Sequence, residues 1–185
     1  ENTHNDAGGT IWDIDEMQRV LDAASSRGLK KHLDGARLWN ATAATGIAPD
    51  VYASGFDTVN VCFSKGLGAP VGSALAGSRE DIARARRFKQ IFGGGFRQAG
   101  LLAAGALYGL EHHFERLAQD HANAYQFAVA IADSRGVTVD LDSVQTNIVY
   151  FATPHAGALV DACHEAGVAM LALGPTTVRA VFHLD

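Results

Sequence analysis

This 185-residue sequence has little cysteine, no long apolar run and no excess of positive charge. Its two cysteines, Cys62 and Cys163, are too few for a disulfide scaffold and favour a reduced, cytoplasmic setting. No apolar run approaches the length of a membrane span, and the first residues lack a signal-peptide pattern. A net charge of −5 offers no general attraction to nucleic acid or to anionic membranes. We therefore expect a cytoplasmic protein that binds neither.

The sequence also lacks a convincing metal-binding pattern. His112, His113 and His121 have no Glu or Cys at metal-ligand spacing, so we expect no metal site and a surface or interface role for these histidines. One predicted helix carries a basic face, which in an acidic chain is typical of a solvated surface or a subunit contact rather than of nucleic-acid binding. The members of this face are Arg79, Arg84, Arg86, Arg87 and Lys89.

What the sequence does contain is enough apolar material for a folded core. Apolar residues make up 48% of the chain and charged residues 19%, which excludes a disordered protein. The sequence begins at Glu1 without an initiator methionine, and its last predicted strand is cut off at Asp185. We interpret it as an internal piece of a longer protein.

Helical and strand patterns alternate along the chain, which predicts an α/β fold. Two helix starts carry capping pairs, Asp13 with Glu16 and Ser78 with Asp81. The strands of this part are apolar, and the later ones are apolar almost throughout, as expected when both faces of a sheet are covered. The strands are predicted over Leu29–Leu33, Thr58–Phe63 and Val71–Ala76, with a small helix over Ala36–Ala44.

Two long helices, predicted over Arg97–His113 and Glu115–Ser134, separate this part from a region of shorter elements. The alternation of short strands and one helix predicts a smaller α+β unit. We therefore expect a partial large domain over residues 1–117 and a small C-terminal domain over residues 118–185. The short elements are predicted over Val137–Leu141, Asn147–Phe151, His155–Ala166, Val168–Leu171 and Thr177–His183.

A lysine among glycines follows one of the apolar strands, in Ser64-Lys65-Gly66-Leu67-Gly68-Ala69-Pro70. Taken alone, Lys65 is typical of a surface lysine in a glycine loop. However, it directly follows the carboxyl end of a predicted buried strand, and α/β sheets bind ligands at that edge. Gly66 and Gly68 let the backbone approach a flat ligand, and the apolar strand end favours the neutral amine that attacks an aldehyde. The pattern predicts a lysine that forms a Schiff base with an aldehyde cofactor.

Asp34 ends an earlier strand at the same predicted edge, in His32-Leu33-Asp34-Gly35-Ala36-Arg37. It either caps the next helix or faces the nitrogen of a cofactor ring, and it could do both. Arg37 either pairs with Asp34 or binds a substrate carboxylate through two hydrogen bonds. Arg179 lies in an otherwise apolar strand and needs an anionic partner, which predicts a second contact to a carboxylate.

These motifs together resemble the threonine aldolase family, which belongs to the β-eliminating lyase group of fold-type I pyridoxal-phosphate enzymes. The similarity runs in order along essentially the whole chain. The matching segments are Glu1–Asn5, His32–Leu38 with Asn40 and Ala41, Ser64–Ser73, Gly93–Gly100, Asp120 and His121 with Asn123 and Ala124, Thr146–Ile148, Val178 with Arg179, and His183–Asp185.

The resemblance implies a fold-type I architecture, with part of a large, mostly parallel α/β domain and a small α+β domain. It implies that Lys65 forms the Schiff base with pyridoxal 5'-phosphate and that Asp34 pairs with the pyridine nitrogen. Arg37 and Arg179 would hold the substrate carboxylate. Arg97 matches a family arginine near the active-site mouth that would also serve the cofactor site of a neighbouring subunit in a homodimer or homotetramer. The implied reaction is retro-aldol cleavage of threonine or allo-threonine to glycine and an aldehyde.

The chain departs from the family pattern in two respects. It lacks the N-terminal region that carries a phosphate-binding loop and a histidine stacked on the cofactor, and Gln90 stands where many relatives have lysine. Two other functions therefore stay open. One is β-elimination on a different amino acid, and the other is an inactive fragment that acts only through subunit association.

Overall fold

The computed structural model describes residues 1–183, which divide into two compact units. The first unit comprises residues 1–3 and 12–115, and the second comprises residues 4–11 together with the chain from residue 116 onward. The last segment of the family resemblance, His183–Asp185, lies partly outside the described residues.

The first residues form a short hairpin that the sequence patterns do not predict. Strands β1 (Thr3–His4) and β2 (Thr10–Ile11) pair with each other around a single 3-10 turn. Gly9 follows this turn with a φ of +74°, a left-handed conformation that glycine adopts without strain. Thr146 Oγ1 donates a hydrogen bond to the Gly9 carbonyl over 2.7 Å. The turn is thereby held to a segment more than a hundred residues later in the chain.

The first unit combines a three-stranded sheet, in the order β3-β4-β5, with helices. Its helices begin where the capping pairs predict, because Asp13 Oδ1 accepts hydrogen bonds from the backbone of Asp15 and Glu16, and Ser78 Oγ accepts one from Asp81. The elements are α1 (Ile14–Ser25), β3 (His32–Gly35), α2 (Leu38–Thr45), α3 (Pro49–Ala53), β4 (Thr58–Cys62), β5 (Ser73–Gly77), α4 (Arg79–Ile91) and α5 (Gly100–His112).

Strand β3 begins three residues later than the apolar pattern predicts, and it includes Asp34 and Gly35. Pairing sets these bounds: β3 runs parallel to β4, with His32 opposite Thr58 and Asp34 opposite Asn60. Before this register begins, the backbone of Lys31 is held by hydrogen bonds with Asp57 rather than by a ladder. Asp34 therefore lies within a strand and not after its end, which corrects the predicted strand of 29–33.

Strand β5 is apolar in sequence but is exposed at all five of its residues. The prediction of a strand covered on both faces is wrong here, since apolar composition reports a capacity for burial and not the presence of a covering layer. Strands β4 and β5 pair antiparallel, so the described sheet has one parallel and one antiparallel pairing. The short connection over 63–72 explains this direction, because a parallel return needs a longer crossover.

Helix α5 begins at Gly100 rather than at Arg97. Gln98 has a φ of +52°, which helical backbone does not permit, so residues 97–99 cannot form the first turn of a regular helix. The segment after α4 is therefore longer than the glycines alone predict, and it carries Arg97 outside any helix.

The second unit packs helices against an antiparallel sheet of order β6-β7-β9-β8. Its elements are α6 (Leu117–Ala132), β6 (Thr138–Val139), β7 (Ile148–Ala152), α7 (Ala156–Glu165), β8 (Leu171–Ala172) and β9 (Thr177–Val181). Its core is apolar and closed, with Ala124, Val149 and Val178 fully buried. Within the described part of the chain, no helix has the length and hydrophobicity needed to cross a membrane.

Candidate active site

The candidate site lies where the parallel strands β3 and β4 end side by side. Asp34 is opposite Asn60, Gly35 is opposite Val61, and Lys65 follows the end of β4. Because the carboxyl ends of parallel strands meet at one edge of a sheet, this topology brings Asp34 and Lys65 to the same edge. Gly35 is required there, since any Cβ at this position would collide with the Asn60 carbonyl oxygen.

The Asp34 carboxylate is exposed, and one of its two oxygens is fixed. Oδ1 accepts hydrogen bonds from the Ala36 backbone over 3.0 Å and from Asn60 Nδ2 over 3.2 Å. No described residue donates to Oδ2. Asp34 does not cap the next helix, because the N-cap of α2 is Arg37 and that cap receives no side-chain hydrogen bond. The capping interpretation is therefore wrong, and Asp34 instead closes the turn after its strand.

A polar network that the sequence patterns do not predict surrounds Asp34. His32 Nδ1 lies 2.8 Å from Thr58 Oγ1, and His32 Nε2 lies 3.1 Å from Asn60 Oδ1. His32 and Asp34 share one face of β3 because alternate strand residues point the same way. The signal in the sequence is the polar pair at positions 58 and 60 of an otherwise apolar strand, but only the parallel register places it beside Asp34.

Lys65 lies half-buried in a loop that the backbone closes tightly. Gly68 N donates to the Lys65 carbonyl over 2.8 Å, and Ala69 N donates to the Phe63 carbonyl over 3.0 Å. Gly68 has a φ of +69°, so a glycine serves this turn without strain. The loop is also anchored from its start, since Trp39 Nε1 donates to the Cys62 carbonyl over 2.9 Å.

The Lys65 side chain has a thiol as its neighbour. Burial alone raises the pKa of the Cys62 thiol, but hydrogen bonds from Ser64 and Lys65 outweigh it and hold that pKa below its usual value. Cys62 Sγ lies 3.4 Å from Ser64 Oγ. Among the described residues no carboxylate forms an ion pair with Lys65, so its amine is not committed to a counter-ion.

His113 is half-buried and contacts this loop. Its Nδ1 donates to the Leu67 carbonyl over 2.8 Å, and Leu67 is 2% exposed. Gly109 of α5 permits the approach, because a Cβ there would meet the Leu67 backbone. The His113 ring therefore supports the Lys65 loop, a contact that the predicted surface or interface role does not include. Within the described residues no group of three His, Cys, Asp or Glu side chains could hold a metal ion.

Arg37 and Arg179 belong to different units of the chain. Arg37 is half-buried in the first unit, and its backbone carbonyl accepts a hydrogen bond from Thr3 Oγ1 over 3.0 Å. Arg179 is half-buried on β9 of the second unit, and its guanidinium donates to Asn5 Oδ1 over 2.7 Å. Arg179 Nε is buried and has no partner among the described residues, so this guanidinium retains a donor for a further acceptor.

Arg97 and an apolar groove both belong to the first unit. Arg97 is exposed in the segment between α4 and α5, and no described residue bonds to it. The groove has a volume of about 770 Å³ and belongs to the first unit. It contains none of the predicted site residues, and Phe63, Val71, Phe96, Leu107 and Leu110 are among its lining side chains.

The donor set at the sheet edge fits a pyridoxal phosphate ring. Asp34 presents an exposed carboxylate with one oxygen held and one oxygen open, as a protonated ring nitrogen requires. Lys65 offers a primary amine without a carboxylate partner, which is the group that reacts with an aldehyde. The residues present therefore match the ring and the aldehyde of this cofactor.

Comparisons with known proteins bear on the same region. The model of the beta-eliminating lyase family matches residues 1–154. A probable low-specificity L-threonine aldolase of Schizosaccharomyces pombe is 39% identical over 98% of this chain and 46% of its own length. The low specificity L-threonine aldolase of Escherichia coli is 35% identical over 100% of this chain and 54% of its own. The chain spans about half the length of these relatives.

Solved structures agree on the fold. A putative L-allo-threonine aldolase from Listeria monocytogenes has a TM-score of 0.84 at 23% identity, over 98% of this chain and 54% of that one. The threonine aldolase of Leishmania major has a TM-score of 0.75 at 19% identity, over 98% of this chain and 54% of that one. This likeness confirms the predicted fold class, an α/β fragment of the fold-type I architecture. With the family model matching most of its length, the chain belongs to the beta-eliminating lyase family.

Proposed function

We propose that this chain carries the lysine and aspartate of a pyridoxal-phosphate-dependent lyase that cleaves threonine or allo-threonine to glycine and an aldehyde. The proposal rests on the Asp34 carboxylate, of which only one oxygen is hydrogen-bonded. This carboxylate lies at the sheet edge where the strand before Lys65 also ends. The names of the relatives, which are low-specificity L-threonine aldolases, favour this reaction over others on the same cofactor.

Each residue has a role that its surroundings support. The Asp34 Oδ2 atom would hold the proton on the ring nitrogen, and Lys65 Nζ would bind the aldehyde carbon covalently. Arg37 and Arg179 would bind the substrate carboxylate, for which Arg179 keeps a free donor at Nε. The bound cofactor supplies an electron sink for the pair left on Cα when the Cα–Cβ bond breaks. The β-hydroxyl loses its proton as the aldehyde leaves, and Cα regains one to give glycine.

Arg97 and the assembly of the protein form a second part of the proposal. We propose that Arg97 serves the cofactor site of a neighbouring copy in a homodimer or homotetramer, which its exposed position permits. We propose domains over residues 1–117 and 118–185, which the change of unit between residues 115 and 116 supports, whereas residues 4–11 group with the second unit. The proposed setting of the enzyme is the cytoplasm.

Two alternatives have specific support. The matching family model describes a beta-eliminating lyase, which favours elimination at Cβ of another amino acid. The exposed apolar groove favours a fragment that acts only through association with other chains. The products separate these functions, because elimination releases a keto acid and ammonia whereas retro-aldol cleavage releases glycine.

The test begins with the purified chain and pyridoxal phosphate. We expect a new absorbance band near the visible edge and, after borohydride reduction, a stable adduct on the peptide that contains Lys65. Lys65→Ala should lose both signals, while Lys30→Ala, which removes a lysine paired with Asp57, should keep them. L-allo-threonine should then yield glycine and acetaldehyde in equal amounts. A wild-type chain without the adduct would refute cofactor binding by this chain.

A further inference from the structure

A chain of hydrogen bonds on one face of β3 and β4 ends at the Asp34 carboxylate. It runs from Thr58 Oγ1 to His32 over 2.8 Å, from His32 Nε2 to Asn60 Oδ1 over 3.1 Å, and from Asn60 Nδ2 to Asp34 Oδ1 over 3.2 Å. The register explains why these four side chains meet, since His32 is opposite Thr58 and Asp34 is opposite Asn60.

The direction of every bond follows from the last one. A carboxylate oxygen such as Asp34 Oδ1 only accepts hydrogen bonds, so the Asn60 side chain must face it with its NH₂ group. The Asn60 carbonyl oxygen then faces His32 and can only accept. His32 Nε2 must therefore carry a hydrogen, and in the neutral ring Nδ1 accepts from the Thr58 hydroxyl.

We propose that His32 is a positioning residue for Asp34 and that Thr58 fixes its tautomer. By donating from Nε2, His32 prevents the Asn60 amide from turning its carbonyl oxygen toward the carboxylate. Asp34 Oδ1 thus stays bonded, and Oδ2 stays directed away from the network for a ligand. The consequence for cofactor affinity rests on the proposed function, whereas the tautomer and the amide orientation do not.

The first test uses the chain without cofactor. Two-bond ¹H–¹⁵N correlation spectra of the imidazoles should show His32 as the Nε2–H tautomer at neutral pH. The side-chain amide protons of Asn60 should exchange slowly with solvent. Thr58→Val removes the donor to Nδ1 at nearly constant volume and should give a mixture of tautomers. His32→Ala should speed exchange at Asn60, while His164→Ala, at an exposed position on α7, should change neither signal. A wild-type His32 in the Nδ1–H form would overturn the proposal.

The second test measures the dissociation constant for pyridoxal phosphate in the same variants. His32→Ala should weaken binding by about fivefold, the effect of one lost neutral hydrogen bond, and His32→Gln should restore part of it because its amide can still donate. Equal affinity in His32→Ala and His164→Ala would overturn the positioning role. If the wild type binds no cofactor, the proposed function fails for this chain, and the cofactor-free spectra still decide the assignment of His32.

Discussion

The two sheets of this protein differ in how much of their apolar surface is buried. In the second unit, β7 and β9 lie under helices, and Val149 and Val178 have no exposed surface. In the first unit, every residue of β5 is exposed. Phe92 at the end of α4 and Leu101 in α5 are 82% and 81% exposed. The residues proposed to bind the cofactor ring belong to the open unit. The difference shows that apolar composition alone does not bury a strand, because burial also requires elements that cover it.

The proposed site residues of the two units also differ in exposure. Asp34 lies exposed, with its network spread over one face of the sheet. Arg179, by contrast, is half-buried on a strand whose Val178 and Ala180 belong to the core. Its guanidinium donates to Asn5, which is far away in sequence. The first unit thus holds its site by strand register, and the second unit holds its arginine by a hydrogen bond to a residue distant in sequence.

The largest contrast should come from two phenylalanines. Phe151→Ala removes a 4% exposed ring from the core of the second unit and should lower the free energy of unfolding by about 3–5 kcal/mol. Phe92→Ala removes an 82% exposed ring from the first unit and should change it by less than about 0.5 kcal/mol. Urea denaturation followed by circular dichroism measures both. A large effect at Phe92 would show that its ring is covered in solution.

Two glycines, one in each unit, differ in the space around their Cα atoms. A Cβ at Gly35 would collide with the Asn60 carbonyl, so Gly35→Ala should destabilise the protein by about 1–3 kcal/mol. Nothing lies within 4 Å of a Cβ built at Gly157 in α7, and Gly157→Ala should stabilise by up to about 1 kcal/mol. Thermal unfolding of the two variants should therefore shift in opposite directions. A neutral Gly35→Ala would mean that β3 and β4 lie farther apart than the register requires.

Two arginines test the polar contrast. Arg179→Ala removes the bond to Asn5 and should cost about 1–3 kcal/mol, the range for a hydrogen bond with one charged partner. Arg97→Ala should cost less than about 0.5 kcal/mol, because the side chain is exposed. The free energy of unfolding in urea is again the measurement. Equal costs at the two positions would remove the distinction between a packed arginine and a solvated one.

Sequence patterns predicted the elements well where local chemistry determines them. Asp13 and Ser78 start their helices because a side-chain oxygen at that position satisfies backbone donors of the first turn. The fold class followed from the motifs at Asp34 and Lys65, through the resemblance that they carry. Burial of β5 was predicted wrongly, because a sequence shows which residues are apolar and not what covers them.

The candidate site was only partly predictable for the same reason. Lys65 and Asp34 could be selected because each follows or ends a strand, but their residue roles remain predictions. The network through His32 and Asn60 depends on which residues of two strands face each other, and pairing register is a non-local property. His113 was missed because its contact to Leu67 joins parts of the chain that no local pattern connects.

The smallest expected effect concerns a histidine of the closed unit. Burial lowers the pKa of His121 from 6.5 to about 4, so the unfolded chain binds a proton there at a higher pH than the folded protein does. His121 should therefore make the free energy of unfolding fall as the pH falls from 6.5 toward about 4, with no further change below that. The loss should be on the order of 1 kcal/mol once screening of the partly exposed ring is allowed for.

The measurement compares urea unfolding at pH 7 and pH 4.5 in wild type, His121→Gln and His164→Gln. Carboxylates titrate in this range in all three proteins, so only the difference between variants reports the histidine. His121→Gln should flatten the pH dependence, because glutamine takes up no proton in either state. His164→Gln, at an exposed position, should leave the wild-type slope unchanged. An equal slope in all three proteins would mean that water reaches the His121 ring. The second unit would then be less tightly packed around this helix than around its buried sheet.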